Sequence, residues 1–286
     1  MLRDALLRTL AWFATQEYAP TAFEVWKWMD PWTGDASTPA FLVVRRELGE
    51  LCQHGDIITQ DGLFALAGYE SLFTLREERA RDSVQKLRRL NRVVRFLRLL
   101  PTLRAIFACN TLAWSHTRPE SDLDLLLVVR HGWLWTTRLL ATLPLALLRL
   151  RPEETKQNPV CLSFFLSEKA THLGSLRLSG GDPYLWYWLH ALIPLHDPLR
   201  IKEQLDLSLG EKESPASVSS IERICEKFEW VLMPSEIKRI ANTDTRVILS
   251  RDMLKFHVGD RRLHFREAHR ALCEALGLPP FDYENI

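Results

Sequence analysis

The sequence predicts an α+β protein: a small mixed sheet with flanking helices, preceded by a module of three helices and a hairpin and followed by further helices. Three observations lead there. The first part of the chain repeats helical periodicity three times, then places two short β-prone runs around an Asp-Gly pair. Its middle holds apolar runs of strand length at 105–108, 125–129 and 159–166, the first two bracketing a pair of aspartates. Beyond residue 181 the pattern is mainly helical. The expected divisions are 1–72 for the N-terminal module, 73–100 for a linking helix, 101–180 for the sheet domain and 181–286 for a helical region.

Composition bounds the reading. A chain of 286 residues, 47% hydrophobic and 26% charged, has the material for two modest globular domains. Its formal net charge of +1 gives no global pull toward nucleic acid or membrane, so any electrostatic argument must be local. Five scattered cysteines (Cys52, Cys109, Cys161, Cys225, Cys273) without C-x-x-C spacing read as reduced thiols of a cytoplasmic protein, neither a disulfide framework nor a zinc site. The opening M-L-R-D-A-L-L-R alternates charge with leucine, unlike a secretory leader. Residues 133–150 are the most membrane-like, but Arg138 and Arg149 leave a charge-free run of about half a bilayer span, so a buried helix is expected and no membrane span.

In order, Leu2, Leu6, Leu7, Leu10 and Phe13 form a helical stripe. Thr21-Ala22-Phe23-Glu24 has capping-box form and opens a second helix. Residues 31–36 are a loop. Thr38-Pro39 offers an N-cap and a first-turn proline for a third helix, with Leu42, Val43, Leu48 and Leu51 toward a core. Asp61-Gly62 then joins 57–60 to 63–66 as a hairpin. Three helices and a hairpin in this order are those of a winged helix. Its third helix carries Arg45 and Arg46 but also Glu47 and Glu50, which favours a packing module over a DNA reader.

Residues 75–100 read as one long helix with Val84, Leu87, Leu90, Val94 and Leu97 inside. Its outside carries Arg76, Arg79, Arg81, Lys86, Arg88, Arg89, Arg92, Arg95 and Arg98 against Glu77, Glu78 and Asp82. Either a solvated face or a surface for polyphosphate or nucleic-acid backbone fits that run, 76–98.

The chemistry lies in 106–129. Asp122 and Asp124 sit one residue apart at the start of an apolar run, and the period of two in a strand puts both carboxylates on one face. Hard oxygen ligands so placed suit Mg²⁺. Before them come an apolar run and the turn Cys109-Asn110-Thr111. Ser121-Asp122-Leu123-Asp124 after such a turn resembles the signature of the nucleotidyltransferase superfamily typified by DNA polymerase beta. Asn110-Thr111 stands where Gly-Ser is usual, and Ser115 where a second glycine is common. The whole chain resembles a group of prokaryotic proteins with a winged-helix-like segment before such a domain.

That resemblance implies a Mg²⁺-dependent transfer of a nucleoside monophosphate from a nucleoside triphosphate to an acceptor. Asp122 and Asp124 would be the catalytic metal ligands. Asn110, Thr111, Ser121 and Arg118, with His116 nearby, would meet the nucleotide phosphates. A third carboxylate is expected on the strand at 159–166, and none is there: Glu168 follows it, and Glu153 and Glu154 precede it. Two alternatives stand beside the enzyme: a catalytically inactive nucleotide- or nucleic-acid-binding protein of the same fold, and a winged-helix transcriptional regulator.

After the third strand, Asp182-Pro183 opens a helix rich in aromatics, ended by Pro194, whose bulk suits a core better than a base-stacking platform. Residues 207–220 are a serine-bearing linker. Helices are expected at 221–231, 235–242 and about 260–276.

Overall fold

The computed structural model describes residues 2–286 except 34–36, 153, 156 and 211–218, so parts of the loop at 31–36 and of the linker at 207–220 lie outside the described residues, as does Glu153. In chain order the elements are α1 (Leu2–Thr15), α2 (Ala22–Trp28), α3 (Phe41–His54), β1 (Ile57–Gln60), β2 (Leu63–Leu66), α4 (Ser71–Leu97), β3 (Leu103–Ala108), α5 (Asn110–Ala113), β4 (Leu123–Val129), α6 (Leu134–Leu147), β5 (Val160–Ser167), α7 (Pro183–Ala191), β6 (Ile193–His196), α8 (Ser220–Leu232), α9 (Ser235–Ile240), β7 (Val247–Leu249), β8 (Met253–Phe256) and α10 (Arg262–Ala275). The described residues are thus mixed α+β, with a two-stranded and a six-stranded sheet. It divides into two compact units, one of residues 1–81, 178–187 and 261–286, the other of 82–177 and 188–260.

The first unit is mainly helical. Thr21 and Glu24 form the capping box of α2, the Thr21 hydroxyl accepting from Glu24 N at 3.2 Å and the Glu24 carboxylate from Thr21 N at 2.8 Å. The β1–β2 hairpin turns at Asp61 and Gly62, both with positive φ (51° and 79°), the conformation that favours this dipeptide. Trp12 stacks on Tyr187 at 5.0 Å, and the buried Tyr187 hydroxyl donates to Trp28 O and accepts from Trp32 Nε1. The Asp182 carboxylate caps α7 by accepting from Leu185 N (2.9 Å) and pairs with Arg262 (2.7 Å).

Two expectations fail here. Helix α3 begins at Phe41 with Ala40 at its N-cap, and the Thr38 hydroxyl donates to Asp30 instead of capping it. The buried stripe of α3 is Val44, Leu48 and Leu51, which leaves Leu42 72% exposed and Val43 outside as well. Helical periodicity is the reason: Val44, Leu48 and Leu51 hold the i, i+4, i+7 row, and Leu42 and Val43 are rotated off it.

The second unit is built on the sheet, in strand order β6-β3-β4-β5-β8-β7. Strand β4 is central, antiparallel to β3 and parallel to β5, with α6 crossing between β4 and β5. A strand covered on both faces needs a near-continuous apolar run, which 125–129 supplies. Leu123, Leu125, Leu127 and Val129 pack with Leu90, Val94 and Leu97 of α4 and with Leu134, Ala141 and Leu145 of α6. Val84 does not join them and is 51% exposed. Among the described residues no helix is long and apolar enough to cross a membrane, the segment at 133–150 included.

The region after 181, expected to be helical, also supplies three strands. Pro194 ends α7 by entering β6, the edge strand beside β3, where its missing N–H is tolerated. Strands β7 and β8 form a hairpin that pairs with β5. Strands of three or four residues are too short to show a period of two.

Candidate functional site

Asp122 and Asp124 alternate with Leu123 and Leu125, whose side chains belong to the core, so both carboxylates take the opposite face of β4. Strand β5 runs beside it with Asp124 opposite Cys161 and Leu126 opposite Phe164. One residue of β4, Leu125, thus faces two of β5, Leu162 and Ser163, a bulge that returns Cys161 and Phe164 to the same face. One ligand atom each of Asp122, Asp124 and Cys161 lie within 4.8 Å of one another. Where a third carboxylate is expected, the strand places a thiol.

The first residue of α5 completes the group. Asn110 takes a positive φ of 54°, which asparagine tolerates better than most residues. Its carbonyl oxygen accepts from Trp188 Nε1 at 3.1 Å, which directs its amide N–H toward the Asp124 carboxylate, to which it donates. Trp188 is itself fixed by stacking on Phe164 at 5.5 Å. Cys109 N donates to Asp124 O at 3.2 Å, tying the end of β3 to the start of β4. Burial, and then the neighbouring Asp122 charge, raise the Asp124 carboxyl to about 6, against the opposing effect of hydrogen bonds from Asn110 and Cys161. Burial, with the charge of Asp124, likewise pushes the Cys161 thiol up.

The remaining sequence-derived positions make contacts of their own. Thr111 is exposed at the start of α5, with its carbonyl accepting from His116 N. The Ser121 hydroxyl accepts from Arg118 N at 2.9 Å, which closes the 118–121 loop from within. Arg118 is exposed and His116 is buried. Glu168, just past β5, is engaged elsewhere: it pairs with Arg104 (2.8 Å) and accepts from His131 N. Glu154 accepts from Arg151 N in an exposed loop.

Sequence reasoning missed three contributors. Cys161 sits mid-strand, and only the pairing of β5 with β4 brings it to the aspartates. Trp188 reaches Asn110 from a helix 78 residues away in sequence. Lys86, one cation in a basic run, is 1% exposed: it donates to the carbonyls of Arg118, Pro119 and Ser121 and pairs with Asp82 at 3.1 Å. Thr117, whose hydroxyl donates to Asp82 at 2.6 Å, completes this brace of the loop leading to Asp122. A signal was available for Lys86, which lies four residues before Leu90 and so on its buried side.

The donor set fits a divalent cation. Two carboxylates this close in a partly buried site repel each other and lose hydration, and a cation between them removes both costs. Compared with protein families, curated proteins and solved structures, the chain matches none.

Proposed function

We propose that this chain is a divalent-cation-dependent nucleotidyltransferase-like protein, transferring a nucleoside monophosphate from a nucleoside triphosphate to an acceptor hydroxyl. The observation that carries the reading is the convergence of Asp122 and Asp124 on one face of β4, beside a turn at Asn110 that reaches the same carboxylate. In the transfer, the acceptor oxygen bonds to the α-phosphorus as the bond to the β-phosphate oxygen breaks. Pyrophosphate leaves with that electron pair, and the hydroxyl proton passes to solvent. Asp122 and Asp124 would hold Mg²⁺, whose contribution is to neutralise charge on phosphate oxygens. Asn110 orients Asp124, and Lys86 fixes the loop that delivers Asp122. Thr111, exposed at the turn, is the hydroxyl available to a phosphate, with Arg118 the nearest loop cation in sequence.

Incubation with labelled nucleoside triphosphates and bulk RNA or protein tests the activity, with Asp122→Asn/Asp124→Asn as the control. Metal-dependent transfer of label that the double variant abolishes is expected. No label with Mg²⁺, Mn²⁺ or Zn²⁺ would sink the enzyme reading.

One observation favours a second reading, a catalytically silent nucleotide-binding protein of the same fold. A general base is wanted opposite Asp124, and Cys161, whose thiol is held protonated, cannot serve as one. Metal-dependent binding of ATP without transfer would select it. The three helices and hairpin of the first unit fit a winged-helix-like packing module in either case.

A further inference from the structure

The cations of α4, with Arg98 in the turn that follows it, fall into two sets. Arg76 pairs with Glu24 and lies over the Tyr18 ring, Arg79 pairs with Glu17, Arg81 with Glu77, and Lys86 braces the site loop. Arg88, Arg89, Arg92, Arg95 and Arg98 are exposed, and among the described residues none has a carboxylate within 4.0 Å. Arg88, Arg92 and Arg95 follow i, i+4, i+7 spacing and form a single row. That row lies opposite Leu90, Val94 and Leu97, which are buried in the core, with Arg89 and Arg98 on its flanks. At the helical rise the five guanidinium groups cover roughly 15 Å along the axis.

Nothing in the neighbouring sequence cancels this charge. Residues 83–119 contain eight Lys or Arg and no Asp or Glu, in a chain whose net charge is +1. The helix is also held in place, because Lys86 and Asp82 fasten it to the loop before Asp122. A fixed row of guanidinium groups without acidic partners is complementary to a regularly spaced polyanion.

We propose that the outer face of α4, through Arg88, Arg89, Arg92 and Arg95, together with Arg98 just past its C-terminus, docks the phosphate backbone of a nucleic acid. A lipid surface fits less well. A helix lying in a bilayer interface turns an apolar face to the lipid, whereas the apolar face of α4 is spent on the core. From 84 to 99 the outer face exposes Val84, Phe96 and Leu99, which are separated by the arginines and form no continuous apolar face. The proposal rests on the helix alone and stands or falls separately from the transfer reaction.

The test is fluorescence anisotropy of the full chain with labelled single-stranded RNA and duplex DNA of about 20 nucleotides, in EDTA, between roughly 50 and 200 mM salt. Binding to at least one probe is expected, with a log–log salt slope of about −3 to −3.5 on RNA or about −3.5 to −4.5 on duplex DNA, the values for four or five phosphates. Arg88→Gln/Arg92→Gln/Arg95→Gln, all exposed positions, should weaken it at least tenfold and flatten the slope by about 2 to 3. Asp122→Asn/Asp124→Asn should bind as the parent does, and so should Arg45→Gln/Arg46→Gln on α3. Failure to bind either probe, unchanged binding by the triple variant, or loss only in the α3 variant would overturn the proposal. So would tighter binding to phosphatidylserine vesicles than to either polynucleotide.

Discussion

Trp188 Nε1 donates to Asn110 Oδ1 at 3.1 Å, and this bond decides which end of the Asn110 amide meets Asp124. An asparagine at positive φ can present either oxygen or nitrogen to a neighbour, and an oxygen beside a carboxylate would repel it. With the oxygen occupied by the indole, the N–H group faces Asp124 and favours its ionised form. Trp188→Phe keeps the stacking on Phe164 and removes only the donor. It should leave the fold intact and weaken divalent-cation binding about tenfold, the effect of losing a partner that orients a ligand. Isothermal titration with Mn²⁺ checks it, and unchanged affinity would show that Asn110 does not depend on Trp188.

The thiol opposite Asp124 predicts which cation the site prefers. Mg²⁺ has use for the two carboxylates alone, while Mn²⁺ and especially Zn²⁺ gain from a sulfur ligand. The parent chain should therefore bind Zn²⁺ more tightly than Mg²⁺, with release of the Cys161 thiol proton on binding. Cys161→Asp should reverse the trend, strengthening Mg²⁺ and weakening Zn²⁺. Competition titrations on both proteins measure it, and equal cation preference in the two would exclude Cys161 from the coordination sphere.

How far the site was legible from residue order follows from which contacts are local. Asp122 and Asp124 share a face because strands alternate, and that is visible in four residues. The turn at Asn110 was legible because asparagine is the residue that tolerates such backbone. Cys161 was not, since its position depends on a parallel pairing across a crossover helix and on a bulge that shifts the strand's facing residues. The three-helix and hairpin pattern was plain because capping boxes and Asp-Gly turns are encoded within a few residues. Strands β6, β7 and β8 were hidden: three or four residues at or near a sheet edge owe their form to the neighbouring strand.

The buried Lys86 gives a prediction about the loop. Its ammonium donates to three carbonyls and pairs with Asp82, so Lys86→Met strands the carbonyls and leaves Asp82 without its cation. Destabilisation of about 2–4 kcal/mol is expected from such a loss. Asp82→Asn/Lys86→Met should cost less than the single change, because the uncompensated charge is then gone. Denaturant midpoints of the three proteins give the comparison. A single variant within about 0.5 kcal/mol of the parent would mean that the loop holds its form without the lysine.

His269 makes the helical unit sensitive to acid. The ring is buried between two hydrogen bonds, Nε2 at 2.9 Å from Arg8 O and Nδ1 at 2.8 Å from Tyr283 Oη. The carbonyl can only accept, so Nε2 carries the proton and Nδ1 accepts from the phenol, which is the neutral ring. Burial lowers its pKa from 6.5 to about 4. A depressed histidine contributes stability that is present above the unfolded value and is lost as pH falls toward the folded one. Between pH 7 and pH 4 the loss should approach about 3 kcal/mol, the linkage cost of that shift. His269→Gln keeps a donor and an acceptor without titrating, so its stability should be lower at pH 7 but fall less between those limits. Urea unfolding at intervals across that range, followed by tryptophan fluorescence, reads the two slopes. Parallel slopes for parent and variant would place the acid sensitivity on other groups.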